Sequence, residues 1–245
     1  MNGDAIIELA GADVLWEGGT TILLQDVNWR IARGECWAVG AVPGSGKTSL
    51  LATAASLNRP GAGKLRLFGR DLAEATEEEQ VDWRRRIGFV FDNGGQLLNH
   101  LTIAQNVALP LRYHLELDEA ELSERVEQLL KRAELTSADD AMPSRLSVRL
   151  QQRASLARAL AVPTEILFLD NPLSGLGLRD ARWWTGYLRE LRSGDAMTIV
   201  AACDDFRPWL ELATRFAVID GERFRVLGGR EQVLASTEPV VREFV

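Results

Sequence analysis

Ala41-Val42-Pro43-Gly44-Ser45-Gly46-Lys47-Thr48 is the stretch whose residue types and spacing most directly specify chemistry. It fits the phosphate-loop pattern, with alanine in place of the first glycine. Gly44 and Gly46 have no Cβ, so the backbone there can turn its N–H groups toward an anion. The helix that follows adds the positive end of its dipole. The Lys47 ammonium reaches the outer phosphates of a nucleotide, and the Thr48 hydroxyl suits Mg²⁺, a hard cation that takes oxygen ligands. Ala41, Ser45 and Ser49 complete the stretch expected to line the phosphates. Chance would place so relaxed a pattern in roughly one or two chains in a hundred of this length. The flanking elements make chance a poorer explanation still.

Those flanking elements are legible. Glu35 to Gly40 is a short apolar run ended by glycine, and Ser49 to Ala55 reads as helix, giving a strand, a glycine loop and a helix. Upstream, Val14 to Trp16 and Thr21 to Leu24 read as strands around a Gly18-Gly19 turn. Leu65 to Phe68 and Ile87 to Phe91 are further strands, and Thr76 with Glu79 forms a capping box that opens a charged helix. From Asp92 to Ala161 the pattern turns helical. Asp118 with Glu121 caps one helix, Leu122, Val126, Leu129 and Leu130 recur at helical spacing, and Leu150, Ala154, Ala157 and Ala161 mark a second face. Ile166 to Leu169, ending in Asp170, and Thr198 to Ala202, ending in Cys203, are unbroken apolar runs. Such runs suit parallel strands covered on both faces. Phe216 to Ile219, Asp220-Gly221 and Phe224 to Leu227 read as a hairpin.

The chain has 245 residues, of which 46% are hydrophobic and 26% charged, as in an ordinary globular protein. Asp and Glu number 35 against 28 Lys and Arg, so the net charge is -7. That excludes a general nucleic-acid binder, which needs a basic surface. Two cysteines, Cys36 and Cys203, build neither a disulfide framework nor a Cys-rich zinc site. No signal peptide and no run of apolar residues long enough for a membrane helix is expected.

In the order and spacing of its further motifs the chain resembles the ATP-binding cassette (ABC) ATPases. Leu146 to Arg153 is similar to the family's signature segment, Ile166 to Asp170 to its Walker B strand, and Pro172 to Gly177 to its D-loop. Phe91-Asp92-Asn93-Gly94-Gly95 sits where the Q-loop belongs, Ala201 to Asp204 at the switch-histidine position, and Trp16 where an aromatic residue stacks on adenine. Within the family, Phe91 to Leu111 and the tail Glu238 to Phe244 look most like the Mla-type phospholipid (MCE-system) ATPases. The resemblance implies an α/β fold: a P-loop core with mixed sheet over 1–91 and 159–245, an N-terminal antiparallel β element, and a helical subdomain bearing the signature over 92–158. It also implies ATP and Mg²⁺ as ligands. The metal would be held by Thr48, Asp170 and Asp92, the nucleotide by the phosphate loop and Trp16, and a second subunit's nucleotide by Ser147.

The departures matter as much. Asn171 stands where the family has a glutamate that polarises the attacking water, and a neutral amide accepts no proton. Cys203 replaces the switch histidine, and a thiol is a weak donor. Asp92 replaces the Q-loop glutamine, with Gln96 reading as one extra residue nearby. Val148 and Arg149 replace the two signature glycines, and Gly177 replaces the D-loop aspartate. Arg149 offers an alternative route to the phosphates as a cation, and Asp205 is the one new carboxylate that could stand in as a base. The expectation is an ATP-binding transporter subunit that hydrolyses weakly or not at all. A working transport ATPase and a soluble non-transport ABC protein are the alternatives. Its partners would be a transmembrane permease, a second ABC subunit and, for lipid transport, an MCE-domain protein, but no nucleic acid. It would sit in the cytoplasm at the inner face of the cell membrane through the permease, docking by His100 to Leu111. Trp29, Trp37 and Trp209 read as core, one of Trp183 and Trp184 as buried, His114 as exposed, and Arg84 to Arg86 as a solvated helix end.

Overall fold

The computed structural model describes residues 5–16, 19–92, 94, 96–193 and 197–245. Gly18, Asn93 and Gly95, each part of an expectation above, lie outside the described residues. In chain order, β1 (Ala5–Leu15) and β2 (Ile22–Ala32) precede β3 (Cys36–Gly40) and α1 (Lys47–Ala54). Next come β4 (Lys64–Leu67), β5 (Arg70–Asp71), α2 (Glu77–Arg85) and β6 (Ile87–Val90). The helices α3 (Ile103–His114), α4 (Glu119–Arg132) and α5 (Val148–Ala159) follow. The chain continues through β7 (Ile166–Asp170), α6 (Leu178–Ser193), β8 (Thr198–Cys203), β9 (Arg215–Asp220) and β10 (Arg223–Gly228), then α7 (Arg230–Ala235) and α8 (Pro239–Arg242).

Two sheets result. The first has the order β2-β1-β4-β5 and is antiparallel throughout. Its inner face buries Leu9, Val14, Leu24, Val27, Trp29 and Ile31. β1 and β2 run to eleven residues each, well beyond the short strands the sequence suggests. Register shifts between Leu9 and Ala12, Ala12 and Val14, and Val14 and Leu15 break the alternation that would have exposed their length. The second sheet has the order β10-β9-β3-β8-β7-β6; β9, β3, β8, β7 and β6 are parallel and β10 pairs antiparallel at the edge. The C-terminal hairpin is therefore the edge of the main sheet and not a separate element. Every residue of β3, β7 and β8 is buried, which explains their unbroken apolar runs.

A third apolar cluster joins Ile103, Val107 and Leu111 of α3 to Leu122, Val126 and Leu130 of α4 and to Ala154 and Ala157 of α5. Capping boxes fix where α2, α3 and α4 begin: Thr76 with Glu79, Thr102 with Gln105, and Asp118 with Glu121. The whole is an α/β fold with a mixed sheet, a helical cluster and an antiparallel β element.

Candidate functional site

Parallel strands bring their carboxyl ends to one edge, and in open α/β sheets that edge is where ligands bind. Here Gly40 of β3 lies opposite Cys203 of β8, and Asp170 of β7 opposite Ala202. The residues following β3, β7 and β8 are therefore neighbours although they are far apart in the chain. The Ala41 N–H donates to the Cys203 carbonyl at 3.0 Å, and the Asn171 N–H to the Ala202 carbonyl at 3.0 Å. Past Ala41 the loop turns through Gly44 (φ 80°) and Gly46 (φ 88°), the left-handed backbone that favours glycine. Gly46 also runs beneath Leu23, 3.1 Å from where a Cβ would sit. α1 starts at Lys47 directly after this turn, so its first N–H groups face the loop.

The Thr48 hydroxyl donates to Asp170 Oδ2 at 2.6 Å. Asp170 is buried, and its other oxygen, Oδ1, has no hydrogen-bond partner among the described residues. Burial raises the Asp170 pKa; the Thr48 hydrogen bond pulls it down, the nearby Asp92 charge pushes it up, and Lys47 and the approach of the Asp92 backbone N–H pull it down. An orphaned carboxylate oxygen beside a hydroxyl, with a second carboxylate close by, is a hard-oxygen donor set that fits Mg²⁺. The Ser45 Oγ is likewise buried without a partner inside the loop, as expected of a group that awaits a phosphate. Thr48, Asp170 and Asp92 thus come together, as do Ala41, Ser45, Lys47 and the loop glycines. Ser49 faces the interior, buried, with its carbonyl accepting from Thr53. Trp16 is exposed at the end of β1.

Asn171, Cys203 and Asp205, singled out in the sequence for the proton acceptor, are placed as follows. Asn171 is buried in left-handed backbone (φ 54°), a conformation asparagine tolerates better than most. Its Oδ1 has no partner among the described residues. Cys203 is buried, and burial pushes its thiol far above the usual range, so it neither ionises nor donates strongly at neutral pH. Asp205 is turned to Arg207, accepting from its backbone N–H at 2.8 Å and from its guanidinium at 2.7 to 3.0 Å. That pairing holds the one new candidate base turned to Arg207. Asp204 instead accepts from the Ser174 hydroxyl at 3.3 Å, joining the ends of β8 and the loop after β7.

Ser147 and Val148 lie exposed at the start of α5. Arg149 does not reach toward the phosphate loop of its own chain: its NH1 donates to both oxygens of Asp180, at 3.1 and 3.0 Å. Asp180 also accepts from buried Arg153, which pairs in turn with Glu134 and stacks 3.9 Å from the Trp183 ring centroid. No sequence signal joins Arg149 to Asp180, 31 residues on. Gly94 (φ 92°) takes left-handed backbone that favours glycine and lies against the Gln151 side chain of α5. Gln96, the extra residue, takes φ 51°, and its carbonyl accepts from Arg158 at 3.1 Å. Trp184 is buried and Trp183 is not, as expected of that pair. His114 is half-buried against Tyr113, not exposed, and burial with the Arg85 charge lowers its pKa. Arg86 is no solvated helix end either: it stacks on Phe68 and pairs with Glu165.

The ABC transporter family matches residues 24–174. The sulfate/thiosulfate import ATP-binding protein CysA of Caulobacter vibrioides is 37% identical over 213 residues, 86% of this chain and 61% of the relative. Its counterpart in Synechococcus elongatus is 33% identical over 248 residues, 100% of this chain and 70% of the relative. A methionine import ATP-binding protein of Rhodopseudomonas palustris is 32% identical over 241 residues, 98% of this chain and 63% of the relative. The chain thus spans about three fifths of the length of several of these relatives. Among solved structures, a dimeric ATP-binding cassette in a post-hydrolysis state bound to ADP and Pi superposes with a TM-score of 0.81 at 28% identity, covering 91% of this chain and 99% of that one. A component of the cbiONQ transporter complex of Clostridium perfringens, 24% identical, shares the fold with a TM-score of 0.80 over 96% of this chain and 92% of that one.

Proposed function

This chain belongs to the ABC transporter ATP-binding family, whose members bind ATP with Mg²⁺, and from that premise we propose that it is the nucleotide-binding subunit of a membrane import complex, binding ATP·Mg²⁺ firmly and hydrolysing it slowly. One contrast carries the reading. At a single strand edge the Thr48–Asp170 pair and the loop around Lys47 are in place, while Asn171 and Cys203 beside them supply no proton acceptor.

In this reading the N–H groups from Gly44 to Ser49, with Ala41 at the loop's start, cradle the phosphates, Lys47 offsets their charge, and Trp16 stacks on the base. Thr48, Asp170 and Asp92 hold the metal, which when bound neutralises charge on the outer phosphates. Ser147 serves the nucleotide of a second cassette, and Arg149 stays with Asp180 and serves neither. The core of 1–91 and 159–245 binds nucleotide, and the helical part, 92–158, carries its state outward. No helix among the described residues is long and apolar enough to cross a membrane, so attachment at the inner face of the cell membrane goes through a permease. Two grooves flank α3, about 430 Å³ against α4 and about 450 Å³ against β6 and α5. Leu109 lines both, and Tyr113, 79% exposed, lines the second; they suit a permease segment.

The relatives named for sulfate, thiosulfate and methionine import support uptake of a small solute. Lipid cargo and an MCE-domain partner, which rested on residues 91–111 and 238–244, find no support among them. The same names favour a second reading, a fully active import ATPase. Turnover of the complex assembled with its permease separates the two. The expected rate is about 10²–10⁴-fold below that of a relative with glutamate at the position of Asn171. Robust hydrolysis that is lost in Lys47→Ala would establish the second reading.

A further inference from the structure

The tail Glu238 to Phe244 packs against the strand that leads into the phosphate loop. Glu238 accepts from Arg225 of β10 at 2.6 Å, and α8 then buries Val241. Just past α8, Phe244 turns inward and is 4% exposed. Its carbonyl accepts from the Phe206 N–H at 2.7 Å, and its ring centroid lies 5.2 Å from that of Phe206. Phe206 is fully buried, with Phe216 of β9 as a further ring neighbour at 5.1 Å. Phe206 and Phe244 both press on Gly40, the last residue of β3. A Cβ there would lie 2.6 Å from Phe206 Cζ and 3.2 Å from Phe244 Cδ2. Gly40 does not take left-handed backbone, so what requires glycine is the close approach of the two rings.

The segment from Cys203 to Phe206 joins this contact to the nucleotide site. The Cys203 carbonyl accepts from the N–H of Ala41, where the phosphate loop begins, at 3.0 Å. Asp204 accepts from Ser174 of the loop after β7 at 3.3 Å. Phe206 is held in turn by Phe244. Close-packed interiors transmit a displacement rather than absorb it, so moving Phe244 shifts Phe206, the Cys203 carbonyl and the start of the loop together. We propose that Phe244 is a positioning residue for the nucleotide: its ring and carbonyl hold the segment 203–206 and the end of β3 in place, and the phosphate loop is set for ATP only while the tail is docked. The proposal rests on the nucleotide-binding reading and extends it to a segment outside the loop. Such coupling is reciprocal: if docking of the tail favours ATP, ATP favours docking of the tail.

The test combines amide hydrogen exchange with titration of ATP and Mg²⁺ into the full chain, unaltered and carrying Phe244→Ala, Phe244→Leu or Val241→Ala. Without nucleotide, Phe244→Ala should speed exchange at the Ala41 and Phe206 amides at least about tenfold. It should weaken ATP binding about tenfold, within the usual range of coupling between sites. Phe244→Leu keeps apolar volume against Gly40 and should restore affinity to within about threefold of the unaltered chain. Val241→Ala is the control for packing. It opens a cavity in the same tail and should lower the melting temperature, yet leave ATP affinity within about twofold. In the unaltered chain, bound ATP should slow exchange at Phe206 about tenfold more than at the amides of α4 in the helical cluster. That arm needs no variant and decides the matter if Phe244→Ala does not fold. The proposal is overturned by unchanged ATP affinity in Phe244→Ala, by an equal loss in Val241→Ala, or by bound ATP that does not selectively slow the Phe206 amide. Failure of the unaltered chain to bind ATP would instead sink the nucleotide reading, and the nucleotide-free exchange rates would still decide whether Phe244 holds Ala41.

Discussion

Asp170 is a buried carboxylate with one oxygen on Thr48 and the other without a hydrogen-bond partner among the described residues. Burial, the largest influence on it, raises its pKa. Mg²⁺ takes the deprotonated form, so protons compete with the metal, and they begin to win at a higher pH than at an ordinary carboxylate. The sign for stability is the reverse: a raised carboxylate favours the metal-free fold in acid and loses that contribution as pH rises through its pKa. Measured with and without Mg²⁺, ATP affinity should therefore lose its Mg²⁺-dependent part as pH falls, before the ordinary carboxylate range near pH 4 is reached. A Mg²⁺ benefit that persists unchanged down to that range would contradict this account. Asn171, one residue on, makes the complementary point. A neutral amide withstands burial next to Asp170, whereas a glutamate there would add a second buried charge and occupy left-handed backbone at a cost of about 1–2 kcal/mol.

α5 and α6 are held together by a charge cluster in which the members are unequal. Asp180 and Arg153 are buried, but Arg149 is 43% exposed. Removing Asp180 leaves Arg153 buried against the Trp183 ring with the exposed Glu134 as its remaining carboxylate among the described residues, so Asp180→Ala should destabilise by about 3–5 kcal/mol. Arg149→Ala removes a half-solvated partner and should cost at most about 1 kcal/mol. Urea unfolding of the two variants checks the ratio, and comparable losses would show that the cluster is not organised around Arg153. Arg149, in the first turn of α5, is anchored by Asp180 in the first turn of α6, which ties the two helices together. A similar economy fixes the loop before α3: buried Asn106 accepts from the Leu98 N–H and donates to the carbonyls of Leu98, Leu101 and Thr102.

In the molecule as a whole the nucleotide would touch both sheets, with Trp16 at the end of β1 on one side and the loop after β3 on the other. A ligand that binds only the folded state stabilises all of it, by about 2.7 kcal/mol at a hundred times its Kd. ATP with Mg²⁺ should therefore raise the melting temperature of the whole chain in one transition, and Lys47→Ala should remove most of the shift. An unchanged melting temperature at millimolar ATP in the unaltered chain would end the phosphate-loop reading.

The sequence by itself determined what depends on neighbours along the chain. The phosphate loop is eight consecutive residues, capping boxes span four, and the fully buried strands announce themselves as apolar runs because both faces need covering. Family resemblance rests on the same short-range motifs, which is why the fold was legible. Tertiary structure alone decided what depends on separation. It turned Asp205 toward Arg207, gave Arg149 to Asp180, and set Arg30, Glu8 and Arg66 side by side from three strands. It also hid the length of β1 and β2 behind register shifts. A side chain's partner is chosen by which elements pack together, and packing depends on the summed burial of the whole chain, a quantity that no local window contains.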